Sequence, residues 1–237
     1  MKMRFLQTLV FAASLAVGTQ AAQAAFLDVT FEKVSNNNAE DLAGQLGLTV
    51  YDATMANSTF GLSLLGNDVL FAYTNNVGIA SAISEIYLDN GPVVSLLSVH
   101  NSPSGSTSFI GGSANPGNLP GGNTLSPPFV ATSSLSADAS GNPSKGVDSA
   151  SDILGIAYST TSGLTGIEDA IADGSLRVGL HIRSIGIAGG SDSYVNGGGP
   201  TIFPQTPAVP EPSTLVLWSL GAIGLVGLGY RRRKRAA

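Results

Sequence analysis

Alternation of apolar and polar side chains runs through the middle of the chain and predicts a protein built mostly of strands. Over residues 26–34, Leu27, Val29 and Phe31 fall on one side with Lys33, and Phe26, Asp28, Thr30 and Glu32 on the other. That is the period of two expected of a strand with one buried face. Residues 46–51 alternate less cleanly, and 69–73 are nearly all apolar, as in a strand covered on both faces. Over 83–88 the same reading places Ile83, Glu85 and Tyr87 together. Asp89-Asn90-Gly91 supplies a tight turn, because Asn-Gly tolerates positive φ. Residues 93–99 are therefore expected to form a hairpin with 83–88. Further strands are expected at 128–135 and 152–158. The cleanest amphipathic strand is 176–182, with Leu176, Val178, Leu180 and Ile182 on one face and Arg177, Gly179, His181 and Arg183 on the other.

One helix stands out, at 165–173. Thr165 and Glu168 have the spacing of a capping box, and Gly174 supplies the stop. A second short helical turn is expected over 38–43. Residues 101–128 lose all periodicity, with Phe109, Ile110, Leu119 and Leu125 as the sizeable apolar residues among Gly, Pro, Ser and Asn. This stretch reads as a surface insertion. Residues 189–195 read as a turn and a last short strand. Residues 196–208, with three consecutive glycines and Pro200, Pro204 and Pro207, read as a linker. The expected architecture of the body, 25–195, is a jelly-roll-like β-sandwich with one or two short helices. No period of 20–50 residues marks a solenoid or propeller.

The two ends follow a different pattern. Lys2 and Arg4 precede an apolar run over 5–17, and Ala22-Gln23-Ala24 follows. Positive, apolar, then small is the order of a secretory signal peptide. Signal peptidase, whose pocket admits small side chains, is expected to read Ala22 and Ala24 and to cut after Ala24. Residues 1–24 are thus a signal helix absent from the mature chain. At the other end, residues 215–229 are apolar or glycine throughout, and the helix expected over 214–230 covers about 25 Å, enough for a thin or adapted bilayer. Trp218 and Tyr230 sit near its ends, where amphipathic rings favour the interface. Arg231, Arg232, Arg233, Lys234 and Arg235 follow at once, and such a cluster stays in the cytoplasm. The body is then outside and the tail inside.

Charge and cysteine content sharpen this picture. Over residues 25–209, Lys33, Lys145, Arg177 and Arg183 face fifteen acidic residues, a net charge of −11. Such a surface repels nucleic acid and anionic lipid. The 237 residues include no cysteine, which removes disulfides and thiolate metal sites. An exported body of this kind is held by its core alone.

Catalytic chemistry finds little purchase. His181 reads as a hydrogen-bonded or surface residue of its strand, and His100 lies at a strand end. Neither a Gly-x-Ser-x-Gly elbow nor a His-Glu-x-x-His motif is present. Glu168 and Asp169 read as first-turn helix acids, and Glu85 and Asp89 as hairpin flanks. None shows the paired spacing of a glycosidase. Residues 189–194 resemble a calcium-binding glycine nonapeptide, but such motifs work in stacked repeats and this one occurs once. Gly111-Gly112, Gly121-Gly122 and Gly197-Gly198-Gly199 lack the strand–helix setting and lysine of a phosphate loop. No catalytic, cofactor-binding or metal-ligating residue is assigned, and no cofactor is expected.

The sequence Val209-Pro210-Glu211-Pro212-Ser213-Thr214 lies directly before the span. Its prolines hold the backbone extended beside the bilayer, where a membrane-embedded protease could grip it. Pro-Glu-Pro, a glycine-rich apolar span and a terminal Arg/Lys cluster together resemble the PEP-CTERM sorting domain, over 209–235. The resemblance implies a Gram-negative host that makes exopolysaccharide. It also implies processing by an exosortase, a transpeptidase-like membrane enzyme, with Pro210, Glu211 and Pro212 as its recognition residues. Residues 69–76 with 86–89, and 176–182 with 190–194, also look like the bodies of many PEP-CTERM proteins, a likeness that carries no activity.

The resulting expectation is an exported, non-enzymatic protein of the cell surface or extracellular matrix, with a structural or adhesive body. It passes through an inner-membrane intermediate held by the C-terminal span. Its partners are signal peptidase and exosortase during processing, with exopolysaccharide at the destination and no nucleic acid. The alternative is a carbohydrate-binding module, for which Tyr73, Tyr87 or Tyr194 would be exposed in one row.

Overall fold

The computed structural model describes residues 25–102, 106–139 and 143–204. Ten strands carry the fold: β1 (Ala25–Lys33), β2 (Leu46–Asp52), β3 (Val69–Asn75), β4 (Ala82–Asn90), β5 (Val93–His100), β6 (Ile110–Gly111), β7 (Ala137–Asp138), β8 (Leu154–Thr160), β9 (Leu176–Ile185) and β10 (Gly190–Pro204). Two α-helices join them, α1 (Ala53–Phe60) and α2 (Gly163–Ala172). The strands hydrogen-bond in the single order β5-β8-β3-β2-β1-β10-β9-β4-β7-β6, antiparallel at every pairing.

The mainly-β expectation and the short helices hold, but the layering differs. In place of two facing jelly-roll sheets, one sheet curls until its edge strands meet. Gly111 of β6 makes the seam possible: a Cβ there would lie 2.7 Å from the Leu96 side chain and 3.0 Å from Val99 on β5. The curl is nearly a barrel, with β5 and β6 meeting through side chains and without hydrogen-bonding to each other. Period-two patterning reports that one face of each strand is buried, and a curled sheet satisfies it as well as a sandwich does.

The interior holds Leu27, Val29 and Phe31 of β1, Leu48 and Val50 of β2, Phe71 and Tyr73 of β3, and Leu154, Ile156 and Tyr158 of β8. Leu176, Val178, Leu180 and Ile182 of β9 join them, as their alternation requires. On β4 a bulge changes the phase. The register steps from Ile83↔Ile182 to Glu85↔His181, and Ser84 is the extra residue. Ile83 therefore joins Ile86 and Leu88 in the core, on the opposite side from Glu85 and Tyr87 with which simple alternation groups it.

Other expectations are corrected. β5 does not form a hairpin with β4: β4 already has β9 on one edge and β7 on the other, so β5 crosses to β8. Residues 128–135 form no strand and hold a 3-10 turn, Ser133–Leu135. The expected turn near 38–43 is a 3-10 turn over Ala43–Gln45. α2 starts at Gly163, two residues before Thr165, and Ser162 at its N-cap makes no side-chain capping bond. The capping box is absent, Glu168 and Asp169 lie in mid-helix, and Gly174, at φ 76°, follows its end. α1 has no counterpart among the expected elements. Asp52 caps it, accepting a bond from the Met55 amide at 2.7 Å. β10 runs on to Pro204 and occupies the first part of the stretch that reads as linker. Its register against β1 steps from Thr30↔Gly197 to Asp28↔Thr201, so an irregularity takes up Gly198, Gly199 and Pro200.

The patternless stretch after β5 packs as part of the fold. Leu119 and Phe129 are buried with Tyr87 in a small second core on the outer face of β4 and β9. Gly179 is the seat: a Cβ there would lie 3.0 Å from both Leu119 and Phe129. The polar face of β9 is thus covered at Gly179. Leu119→Ala and Phe129→Ala are each expected to cost about 3 kcal/mol, the scale of large-to-small core substitutions, in denaturant unfolding of the full chain. Losses under about 0.5 kcal/mol, typical of exposed positions, would show the stretch to be a mere surface insertion.

Candidate functional site

Signal-peptidase residues Ala22 and Ala24, sorting residues Pro210, Glu211 and Pro212, and the cluster Arg231, Arg232, Arg233, Lys234 and Arg235 lie outside the described residues, as do the signal helix and the span over 214–230. Among the described residues no helix is long and apolar enough to cross a membrane. The structure does show where both ends attach. Ala25 opposes Pro204 across β1 and β10, and Phe26 opposes both Phe203 and Tyr51. Asp52 opposes Val69, which in turn opposes Tyr158. The start of β1, the end of β10, the start of α1 and the end of β8 therefore share one pole of the barrel. Five residues separate Pro204 from Pro210, a reach of at most about 20 Å.

The titratable residues of the body are brought together by cross-strand register. Glu85 on β4, 1% exposed, lies opposite His181 on β9. Its Oε2 is 2.7 Å from His181 Nδ1, and its Oε1 accepts from Arg183 Nη1 at 3.5 Å. The pair sits under the insertion, with Tyr87 two residues on. Burial, then the nearby Glu85 and Asp138 charges, raise the Tyr87 phenol well above its ordinary value, so it stays neutral and donates to Pro116 O at 2.9 Å. Asp89 binds Arg177 and accepts from the Val130 amide at 3.0 Å. Arg177 also donates to Pro127 O and Pro128 O, at 2.6 and 2.7 Å, and lies over the Phe129 ring at 5.3 Å. These charges fasten the insertion to the sheet.

Asp192 of β10 is the centre of a second network. Ser35 Oγ, the Asn37 amide and the Asn38 amide donate to it at 2.8, 2.7 and 3.1 Å, and Lys33 Nζ lies at 2.9 Å. The carboxylate that a calcium loop over 189–194 would use is thus bound to the turn after β1. Burial alone would raise this carboxyl, but the Asn37 amide, Lys33 and Ser35 together hold it below the ordinary carboxylate range. Near the start of β8, Asp148 is pushed up by burial and then by neighbouring Asp152. His100 pairs with Ser98 Oγ at 2.8 Å, and no carboxylate bonds His100 among the described residues. No group of three or more potential metal ligands occurs among them either. Tyr73, Tyr87 and Tyr194 are all fully buried, so the aromatic row that would present a sugar is not made by these residues.

Sequence reasoning missed the Glu85–His181–Arg183 and Asp192 networks, because pairs 96 and 155 residues apart are set by register. The one local hint was the alternation Arg177, His181, Arg183 on a strand that has acids on its neighbour.

Fold and ends together define a class: a cysteine-free, acidic, mainly-β body ahead of a terminal sorting signal. Residues 208–234 match the PEP-CTERM protein-sorting motif, and the chain carries that motif. No curated protein matches the chain, and no solved structure does.

Because the folded Asp192 carboxyl lies below its unfolded value, its stabilisation is complete above about pH 4 and is lost as pH falls through the folded value. Asp192→Asn is expected to lose about 3 kcal/mol at neutral pH, as for a buried pair missing one partner. The gap from the parent should narrow in acid, and denaturant melts at pH 7 and pH 3 measure it. An equal gap at both pH values contradicts the assignment.

Proposed function

We propose that this chain is an exported protein, processed by signal peptidase and an exosortase, whose body is a non-enzymatic structural or adhesive module of the cell surface or extracellular matrix. The observation that carries this reading is the sorting motif at 208–234, which begins four residues after the end of β10. The whole folded body thus precedes the motif, and removal of the tail costs the fold nothing that the structure describes.

The body's chemistry supports a structural role. Three of its buried acids, Glu85, Asp89 and Asp192, are engaged by His181, Arg177 and Lys33 in pairs that join strands and loops, and a fourth, Asp152, accepts from Ser106. With a net charge of −11 over 25–209, the body resists binding to nucleic acid and anionic lipid. Membrane attachment before sorting then rests on the span over 214–230, and the destination is a hydrated, exopolysaccharide-rich layer.

A second reading, carbohydrate binding, has one observation in its favour. Phe26, Tyr51 and Phe60 are half-buried and run across the outer face with centroids 5.9 and 5.3 Å apart. Phe60 also lines a cleft of about 480 Å³ with Leu62, Leu70, His100 and Ile153. Stacking sugars favour such aromatic surfaces. Loss of exopolysaccharide retention in Tyr51→Ala/Phe60→Ala, with unchanged unfolding, would favour this reading over the structural one.

Sorting is tested by Glu211→Ala and Pro210→Ala/Pro212→Ala in the full chain, expressed in its native host. Each variant is expected to accumulate in the inner-membrane fraction while the parent reaches the surface or medium. Equal surface delivery of all three would overturn the exosortase assignment.

A further inference from the structure

The pole where β1 begins and β10 ends also contains a carboxylate placed for the first residue of the body. The Ala25 amide nitrogen donates to Asp52 Oδ2 at 2.7 Å. The other oxygen of the same carboxylate, Oδ1, accepts from Met55 N at 2.7 Å and caps α1. One side chain at the end of β2 thus holds the beginning of β1 and the beginning of α1 together. Strand pairing alone does not require this contact: Phe26 is the first β1 residue in register with β2, opposite Tyr51.

We propose that Asp52 is the receptor for the mature N-terminus: cleavage after Ala24 turns the Ala25 nitrogen into an α-ammonium that forms an ion pair with the Asp52 carboxylate. The proposal rests on the export reading above. In the cleavage, water adds across the Ala24–Ala25 bond. Ala24 keeps the carboxylate, Ala25 departs with the amine, and the amine takes up the proton that the new acid releases. The nitrogen that donated one neutral hydrogen bond then carries a full positive charge at the same place, where charge-assisted bonds are stronger. The charged and titratable surroundings are simple. β2 contributes Asp52 and Tyr51, and β1 contributes Asp28, which is occupied by Thr49 Oγ1 at 2.7 Å. α1 has no charged residue, and neither has β10 beyond Asp192. Asp68, beside the Val69 that opposes Asp52, accepts from the Leu65 amide at 2.9 Å, and α2, packed on β1, β2 and β10, adds the acids Glu168 and Asp169 and no cation. Asp52 is therefore the anion in place for the new cation.

Removal of the signal peptide strengthens the pole of the barrel at which the chain is still tethered through its C-terminal tail. The pair belongs to a mature chain that begins at Ala25, since the Ala25 nitrogen is the one that lies 2.7 Å from Asp52 Oδ2.

The experiment uses the processed protein recovered from the surface or medium of its native host. The mass of the N-terminal peptide is read first. The pH dependence of acetylation of the α-amine is then followed by mass, in the parent, in Asp52→Asn and in Asp28→Asn. Asparagine is a good N-cap, so Asp52→Asn keeps α1 while removing the charge. The expected N-terminus is Ala25, labelled about tenfold more slowly near neutral pH than in Asp52→Asn, because a paired ammonium holds its proton longer. Asp28→Asn should match the parent. Equal labelling of parent and Asp52→Asn, with Ala25 first, overturns the ion pair and leaves the export reading intact. If Asp52→Asn yields no protein, parent labelling as fast as that of a free Ala-Phe peptide overturns the ion pair in the same way. An N-terminus still at Met1 overturns both the inference and the export reading.

Discussion

The pairing of β1 with β10 is the constraint on which the rest of the structure depends. These strands hold the two ends of the body, and their register places Ala25 opposite Pro204 and Lys33 opposite Tyr194. Without that seam, the β5-β8-β3-β2-β1 half and the β10-β9-β4-β7-β6 half would be separate sheets with open edges. With it, one curled sheet encloses a core that needs no disulfide. The Asp192 network reinforces the seam at one pole by binding Lys33, Ser35 and the turn after β1. Asp52, bonded to Ala25, marks the other.

This closure is non-local, since its partners are more than 160 residues apart. Contacts of that kind form late, because a long loop must close before they contribute. For a chain exported from its N-terminus, the sheet cannot close until Pro204 has crossed the membrane. Residue 214, where the span is expected to start, is then only ten residues behind. Under the proposed export, completion of the fold and arrival of the sorting tail at the bilayer therefore fall close together.

Much of the strand content was legible in the sequence because a strand with one buried face leaves a period-two trace: Leu27, Val29 and Phe31, or Leu176 to Ile182, mark their strands directly. What was not legible was set by partners distant in sequence. The bulge at Ser84 shifts Ile83 to the core without altering composition. The turn at Gly91 leads to β8 rather than back to β4 because both edges of β4 are already occupied. Leu119 and Phe129 lie in a stretch too rich in Gly, Pro and Asn to show a pattern, yet they fill the space that Gly179 leaves. α1 is short and mixed in composition, and its cap, Asp52, is also the last residue of β2. The sorting signal was the most legible feature, because Pro-Glu-Pro, the apolar run and the Arg/Lys cluster are contiguous and need no tertiary partner to be recognised.

In the proposed function the folded body is the delivered unit and the tail is a removable address. The most direct test is the C-terminal peptide mass of the protein recovered from the surface and medium of its native host. The account predicts a C-terminus at or near Pro210–Pro212, leaving all ten strands in the mature chain. A C-terminus still at Ala237 would contradict it and leave a protein that remains anchored through its own last helix.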